Sequence, residues 1–133
     1  MSSHHLEEFP KYERDPKDKY ILIKTSNVAI ENSRKEYPEA SEEELIYHAV
    51  RGEWKLNLTN AEKYRYVVGT INGIVVGCYQ NCKWKKNASG KRVLFEGEKA
   101  NDEFSKKYLG KRIPDEFRRK GAANPCWYVK GEG

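Results

Sequence analysis

The chain has 133 residues with 25 Lys and Arg against 20 Asp and Glu, giving a formal net charge of +5. Charged residues make up 34% and hydrophobic ones 38%, which is polar for a globular protein but outside the disordered range. That length fits one domain, and no apolar run approaches the roughly 20 residues of a membrane span. The opening MSSHHLEEFP lacks the apolar centre of a signal peptide. Three cysteines cannot pair fully, so a reducing compartment, the cytoplasm, is expected.

Residues 1–18 are charged and interrupted by proline, and read as a flexible arm before one domain over 19–133. Lys19–Lys24 is a β-rich run and predicts the first strand. A helix is expected over Asn27–Tyr37, ended by Pro38. Ser41 and Glu44 have the spacing of a capping box, which predicts a helix through Leu45, Ile46 and Ala49 to Gly52. Glu53–Asn57 alternates as a short strand, and Thr59 or Asn60 is expected to cap one helical turn over Ala61–Lys63.

The clearest local signal is Asn72-Gly73 between Arg65–Ile71 and Ile74–Tyr79, which predicts a hairpin with a type I′ turn. A third strand, Arg92–Glu96, is expected after a turn at Asn87–Gly90. A short helix follows over Asn101–Tyr108, and Cys126–Val129 completes the sheet. The order predicts an α+β domain: a small twisted antiparallel sheet with two or three helices, a barrel-like sheet of the PUA type being one form.

Cys78 and Cys82 lie four apart in a strand, which places them on one face about 13 Å from each other. That is too far for a disulfide, and with Cys126 they match no zinc pattern, so no metal is assigned. No Gly-x-Ser-x-Gly elbow, Walker loop, Rossmann glycines or His-Glu-x-x-His helix is present. His48 reads as a surface or core-edge histidine rather than a base. Catalysis is not assigned, and no cofactor is implied.

Charge divides along the chain. Residues 1–63 hold 10 basic and 13 acidic side chains, and residues 64–133 hold 15 and 7, balances of −3 and +8. Lys83, Lys85, Lys86, Lys91 and Arg92 form one basic group; Lys106, Lys107, Lys111, Arg112, Arg118, Arg119 and Lys120 form another. Aromatic residues interleave with both, the composition that phosphate contacts and base stacking require. Arg51, Lys111, Arg112 and Arg118 are the candidates to hold phosphate, Trp54 or Trp84 to stack, and Asn124 to touch a base edge. Within Arg51-Gly52-Glu53-Trp54, the competing reading is that Arg51 caps its helix and Trp54 anchors the core.

Several segments together resemble a bacterial domain found C-terminal to GIY-YIG nuclease-like modules. The resemblance covers about residues 41–129. It rests on Arg51-Gly52-x-Trp54, Ala61-Glu62-Lys63, Gly73-Ile74-Val75, Trp84, Phe95-Glu96-Gly97, Tyr108-x-Gly110-Lys111 and Gly121-x-x-Asn124-Pro125-x-x-Tyr128. The nuclease half has no counterpart here, so the resemblance implies no strand cleavage. It implies a module that reads or holds nucleic acid or a nucleotide. The expected function is therefore non-catalytic nucleic-acid binding through a basic and aromatic C-terminal surface. The alternatives are a pocket for a small nucleotide-derived ligand lined by Arg51 and Trp54, and a protein-interaction domain.

Overall fold

The computed structural model describes residues 9–118 and 125–131. Tyr20-Ile-Leu-Ile opens β1 (Tyr20–Thr25), and all four residues are buried, so the strand lies inside the sheet. The Ser26 hydroxyl accepts from the amide of Ala29 at 3.2 Å and starts α1 (Asn27–Glu36). The capping box forms in full: Ser41 Oγ accepts from Glu44 N at 3.2 Å, and Glu44 Oε1 accepts from Ser41 N at 2.9 Å. It opens α2 (Glu42–Arg51). The short α3 (Leu58–Ala61) is capped by Asn57 rather than Thr59 or Asn60, because Asn57 Oδ1 reaches the amide of Asn60 at 3.0 Å.

β2 (Val67–Ile71) turns through Asn72 and Gly73, with φ of 51° and 82°, into β3 (Ile74–Lys86), as the Asn-Gly pair predicts. β4 (Val93–Lys99) follows, then α4 (Asp102–Tyr108), whose first turn is capped by Asn101 at 2.9 Å from the Phe104 amide. A 3-10 turn (Asp115–Phe117) and β5 (Cys126–Val129) complete the order. The strand expected over Glu53–Asn57 shrinks to one bridge, in which Trp54 exchanges both backbone bonds with Val93. The Leu56 amide turns back to the Trp54 carbonyl and ends the pairing there.

The α+β class is as expected, and the sheet is mixed. Its order is β4-β3-β2-β1-β5, with β1 parallel to β2 and the other pairs antiparallel. The wholly antiparallel sheet expected from sequence fails at β1. There α1, α2 and α3 carry the chain back before β2 begins, and a helical crossover makes parallel neighbours. β4 and β5 are the two edges, so the sheet is open and does not close into a barrel.

Both faces of the sheet are covered. On one, Val50 of α2 and Ala61 of α3 pack with Ile21, Ile23, Val67, Trp84 and Phe95. On the other, Phe104 and Tyr108 of α4 pack with Tyr20, Leu22, Val68 and Cys78, joined by Tyr12 and Phe117. Tyr12 therefore corrects the reading of a free arm for its described part, residues 9–18: it is 2% exposed, and its hydroxyl meets that of Tyr20 at 2.8 Å. Chain pairing fixes it, since Tyr12 N donates to Arg112 O and Arg112 N to Pro10 O.

Cys78 and Cys82 also depart from expectation. Cys78 belongs to the α4 side and Cys82 to the α2 side. The cause is a bulge between Gln80 and Lys83, with Asn81 at φ 53°, which adds a residue and reverses the alternation.

Candidate functional site

The bulge sets the character of the hairpin beyond it. Past Asn81, Trp84 and Phe95 are paired residues buried on the α2 side. Alternation therefore puts Lys83 and Lys85 on the opposite side, where both are exposed. β3 leaves its β2 register after Tyr79, and only a bond from Cys82 N to Arg65 O follows. The last residues of β3 and the first of β4 thus form a two-stranded ribbon with Trp84 and Phe95 on its inner face and Lys83 and Lys85 on its outer face. Residues 83–92 hold five basic side chains and no carboxylate, and all five are exposed. Among the described residues only Lys85 of the five has an acidic partner, Glu96, and that ammonium holds the Glu96 carboxyl below its ordinary range.

Beside this ribbon opens a cleft of about 550 Å³ lined by Glu62, Arg65, Asn81, Cys82, Lys83 and Trp84. Arg65 and Asn81 were not among the sequence candidates. The available signal was Gln80-Asn81 inside a strand run, a composition that strands disfavour and bulges tolerate. Trp84 lies at the inner wall and is 5% exposed. Its buried indole N–H has no hydrogen-bond partner among the described residues. Its face is covered by protein, packed 5.1 Å from the Phe95 ring, so it offers no stacking platform.

Arg51 and Trp54 each serve the fold. Arg51 Nε donates to the Phe95 carbonyl at 3.1 Å, and its guanidinium lies 5.6 Å from the centre of the Tyr47 ring. Trp54 Nε1 donates to the Val50 carbonyl at 2.8 Å, closing the end of α2. Trp54 anchors the core as the competing reading of the sequence has it, but Arg51 reaches across to β4 and it is Trp54 that closes the helix end.

The second basic group sits elsewhere. Lys11, Arg112 and Arg118 surround Asp115 at 3.2, 4.0 and 3.9 Å, and the Lys11 bond leads in holding the Asp115 carboxyl below its usual range. Arg112 is also tied to the Phe9 carbonyl at 3.3 Å. Lys111 contributes its backbone carbonyl to Val75 N. Ile74 bridges to Arg112 at one end of β3, while Lys86 ends the other. Thirteen residues of strand separate the two groups by about 40 Å. No small ligand spans them. Asn124 lies outside the described residues.

The three thiols are all buried. Burial pushes Cys78, Cys82 and Cys126 each up to about 12, so all are protonated at neutral pH. No cluster of His, Cys, Asp or Glu able to hold a metal occurs among the described residues, and none of their helices is long and apolar enough to cross a membrane. No protein family matches the chain, and comparison with curated proteins and with solved structures finds no match.

Proposed function

We propose that the protein is a non-catalytic nucleic-acid-binding module that engages its ligand with the β3–β4 ribbon. The observation that carries this reading is the exposed quintet Lys83, Lys85, Lys86, Lys91 and Arg92 at one end of a two-stranded ribbon, with a single acidic partner among them. Unpaired surface cations release counterions from a polyanion, which drives association without base contacts. A two-stranded ribbon is also narrow enough to enter the major groove of duplex DNA. The buried Trp84 and Phe95 hold the ribbon rigid from behind, so its lysines are presented on a fixed frame. The resemblance to a domain beside nuclease-like modules points the same way.

The site differs from the surface the sequence first indicated. Arg51 and Trp54 are withdrawn as contacts, Trp84 becomes a support, and Arg112 and Arg118 belong to a separate cluster. The test is a fluorescence titration of single-stranded and duplex oligonucleotides at low salt. The protein binds, and the variant Lys83→Gln/Lys85→Gln/Lys86→Gln/Lys91→Gln/Arg92→Gln does not. Equal binding by that variant overturns the reading.

A further inference from the structure

A second site lies at the other end of the sheet, where the parallel strands β1 and β2 finish. Lys24 and Thr70 are paired residues there, side by side on the α4 side of the sheet. With Asn72, Gly73, Ile113 and Arg118 they line a cleft of about 420 Å³, within the size range of small-molecule sites. The carboxyl ends of parallel strands are where open sheets leave room for ligands.

The charges in this cleft are unbalanced. Lys24 donates to the Phe117 carbonyl and lies 5.1 Å from the centre of the Trp127 ring, and no carboxylate pairs with it among the described residues. Burial, and then the neighbouring Arg118, push its ammonium below the ordinary lysine range. Among the described residues the Arg118 side chain has only the long 3.9 Å contact to Asp115, a carboxylate already shared with Lys11 and Arg112. Three cations thus share one acid, and one of them, Arg118, borders the cleft together with the half-buried Lys24.

Like charges held together are relieved by an anion between them, and a phosphate dianion matches two cations in charge. Lys24 spends one of its three N–H groups on Phe117, leaving two, and the Arg118 fork is barely engaged. The Asn72 side chain, exposed at the hairpin turn, supplies a neutral donor at the rim. Thr70 is buried and gives its hydroxyl proton to the Ile23 carbonyl at 3.3 Å, which fixes the floor.

We infer that the cleft between Lys24, Asn72 and Arg118 binds the phosphate group of a small molecule, as inorganic phosphate or a phosphate monoester. This site is separate from the β3–β4 ribbon and does not depend on it.

The experiment follows amide resonances of the whole chain while inorganic phosphate is added at constant ionic strength, with chloride as the balancing anion. A parallel arm uses adenosine monophosphate. Lys24, Asn72 and Gly73 shift and saturate with phosphate, and Arg118→Gln weakens the binding about tenfold. Lys24→Met does the same. Because Arg118 is exposed, its variant keeps the test open even if Lys24→Met does not fold. Tighter binding of the monophosphate identifies an ester as the ligand; equal binding identifies the phosphate alone. The quintuple ribbon variant titrates like the parent, which separates this site from the nucleic-acid reading. Shifts that never saturate, or an Arg118→Gln titration that matches the parent, overturn the inference.

Discussion

Trp54 closes α2 by donating its indole N–H to the carbonyl of Val50 at 2.8 Å, four residues back in the chain. The ring reaches that carbonyl by lying over Gly52, where an added Cβ would stand 1.9 Å from Nε1. Gly52 also has φ 66° and ψ −169°, a region open to glycine almost alone. Trp54→Phe keeps an aromatic ring but removes the donor and part of the packed surface, at a cost of about 2 kcal/mol. Gly52→Ala both strains the backbone and displaces the ring, so it costs more than Trp54→Phe. Urea titration of the two variants checks the order.

The docked N-terminal segment gives a second test. Tyr12 packs edge-on against Tyr108 at 4.8 Å between ring centres and shares a hydroxyl contact with Tyr20. Tyr12→Ala is therefore expected to cost about 3–5 kcal/mol, the range for removing a buried aromatic side chain. A free arm would leave stability unchanged within about 0.5 kcal/mol. Thermal unfolding of the variant distinguishes these outcomes.

Much of this fold is written in local signals. The capping box and the Asn-Gly turn are each settled by a few adjacent residues, and each appears where the spacing puts it; the helix expected over Asn101–Tyr108 also forms, with Asn101 as its cap. What the sequence conceals is non-local. Tyr12 is one apolar residue among charges, and only its partners on α4 and β1 show that it is core. The parallel pairing of β1 with β2 depends on where three helices return the chain. The site was legible as composition and not as geometry. The basic quintet is continuous in sequence, but its presentation depends on the bulge at Asn81, which sends Trp84 inward and Lys83 and Lys85 outward. Lys24 gave no sequence signal, since its importance comes from Arg118, ninety-four positions later.

The buried thiols predict the alkaline limit of stability. Each titrates at about 12 in the folded chain against 9.0 when unperturbed, raised by burial. A raised acid favours the fold below its unfolded value and loses that contribution as pH climbs to the folded value. Stability is thus level to about pH 9 and then falls by up to about 4 kcal/mol per pH unit as three thiols ionise in the unfolded chain alone. Tyr20, raised by burial to about 12, adds to the loss above pH 10. Urea midpoints across pH 7 to about 11 measure the slope. The same protection predicts that a thiol reagent labels none of the three cysteines until the protein unfolds.

The capping box isolates a local term. Ser41→Ala removes one acceptor and leaves the Glu44 carboxylate, whose backbone bond from Ser41 leads in holding it below its ordinary range. The expected cost is about 1 kcal/mol. Equilibrium unfolding resolves it, and Ser41→Asp restores most of the loss because it supplies an acceptor at the same place.

In the proposed function the β3–β4 ribbon holds phosphate through Lys83, Lys85, Lys86, Lys91 and Arg92. The most direct measurement is the salt dependence of duplex oligonucleotide affinity for the parent and for the quintuple glutamine variant. With Lys85 partly committed to Glu96, four or five neutralised phosphates give log K against log salt a slope of about −4. The variant loses most of that slope together with its affinity. A parent that fails to bind near 50 mM salt, or a variant with the same slope as the parent, contradicts the account.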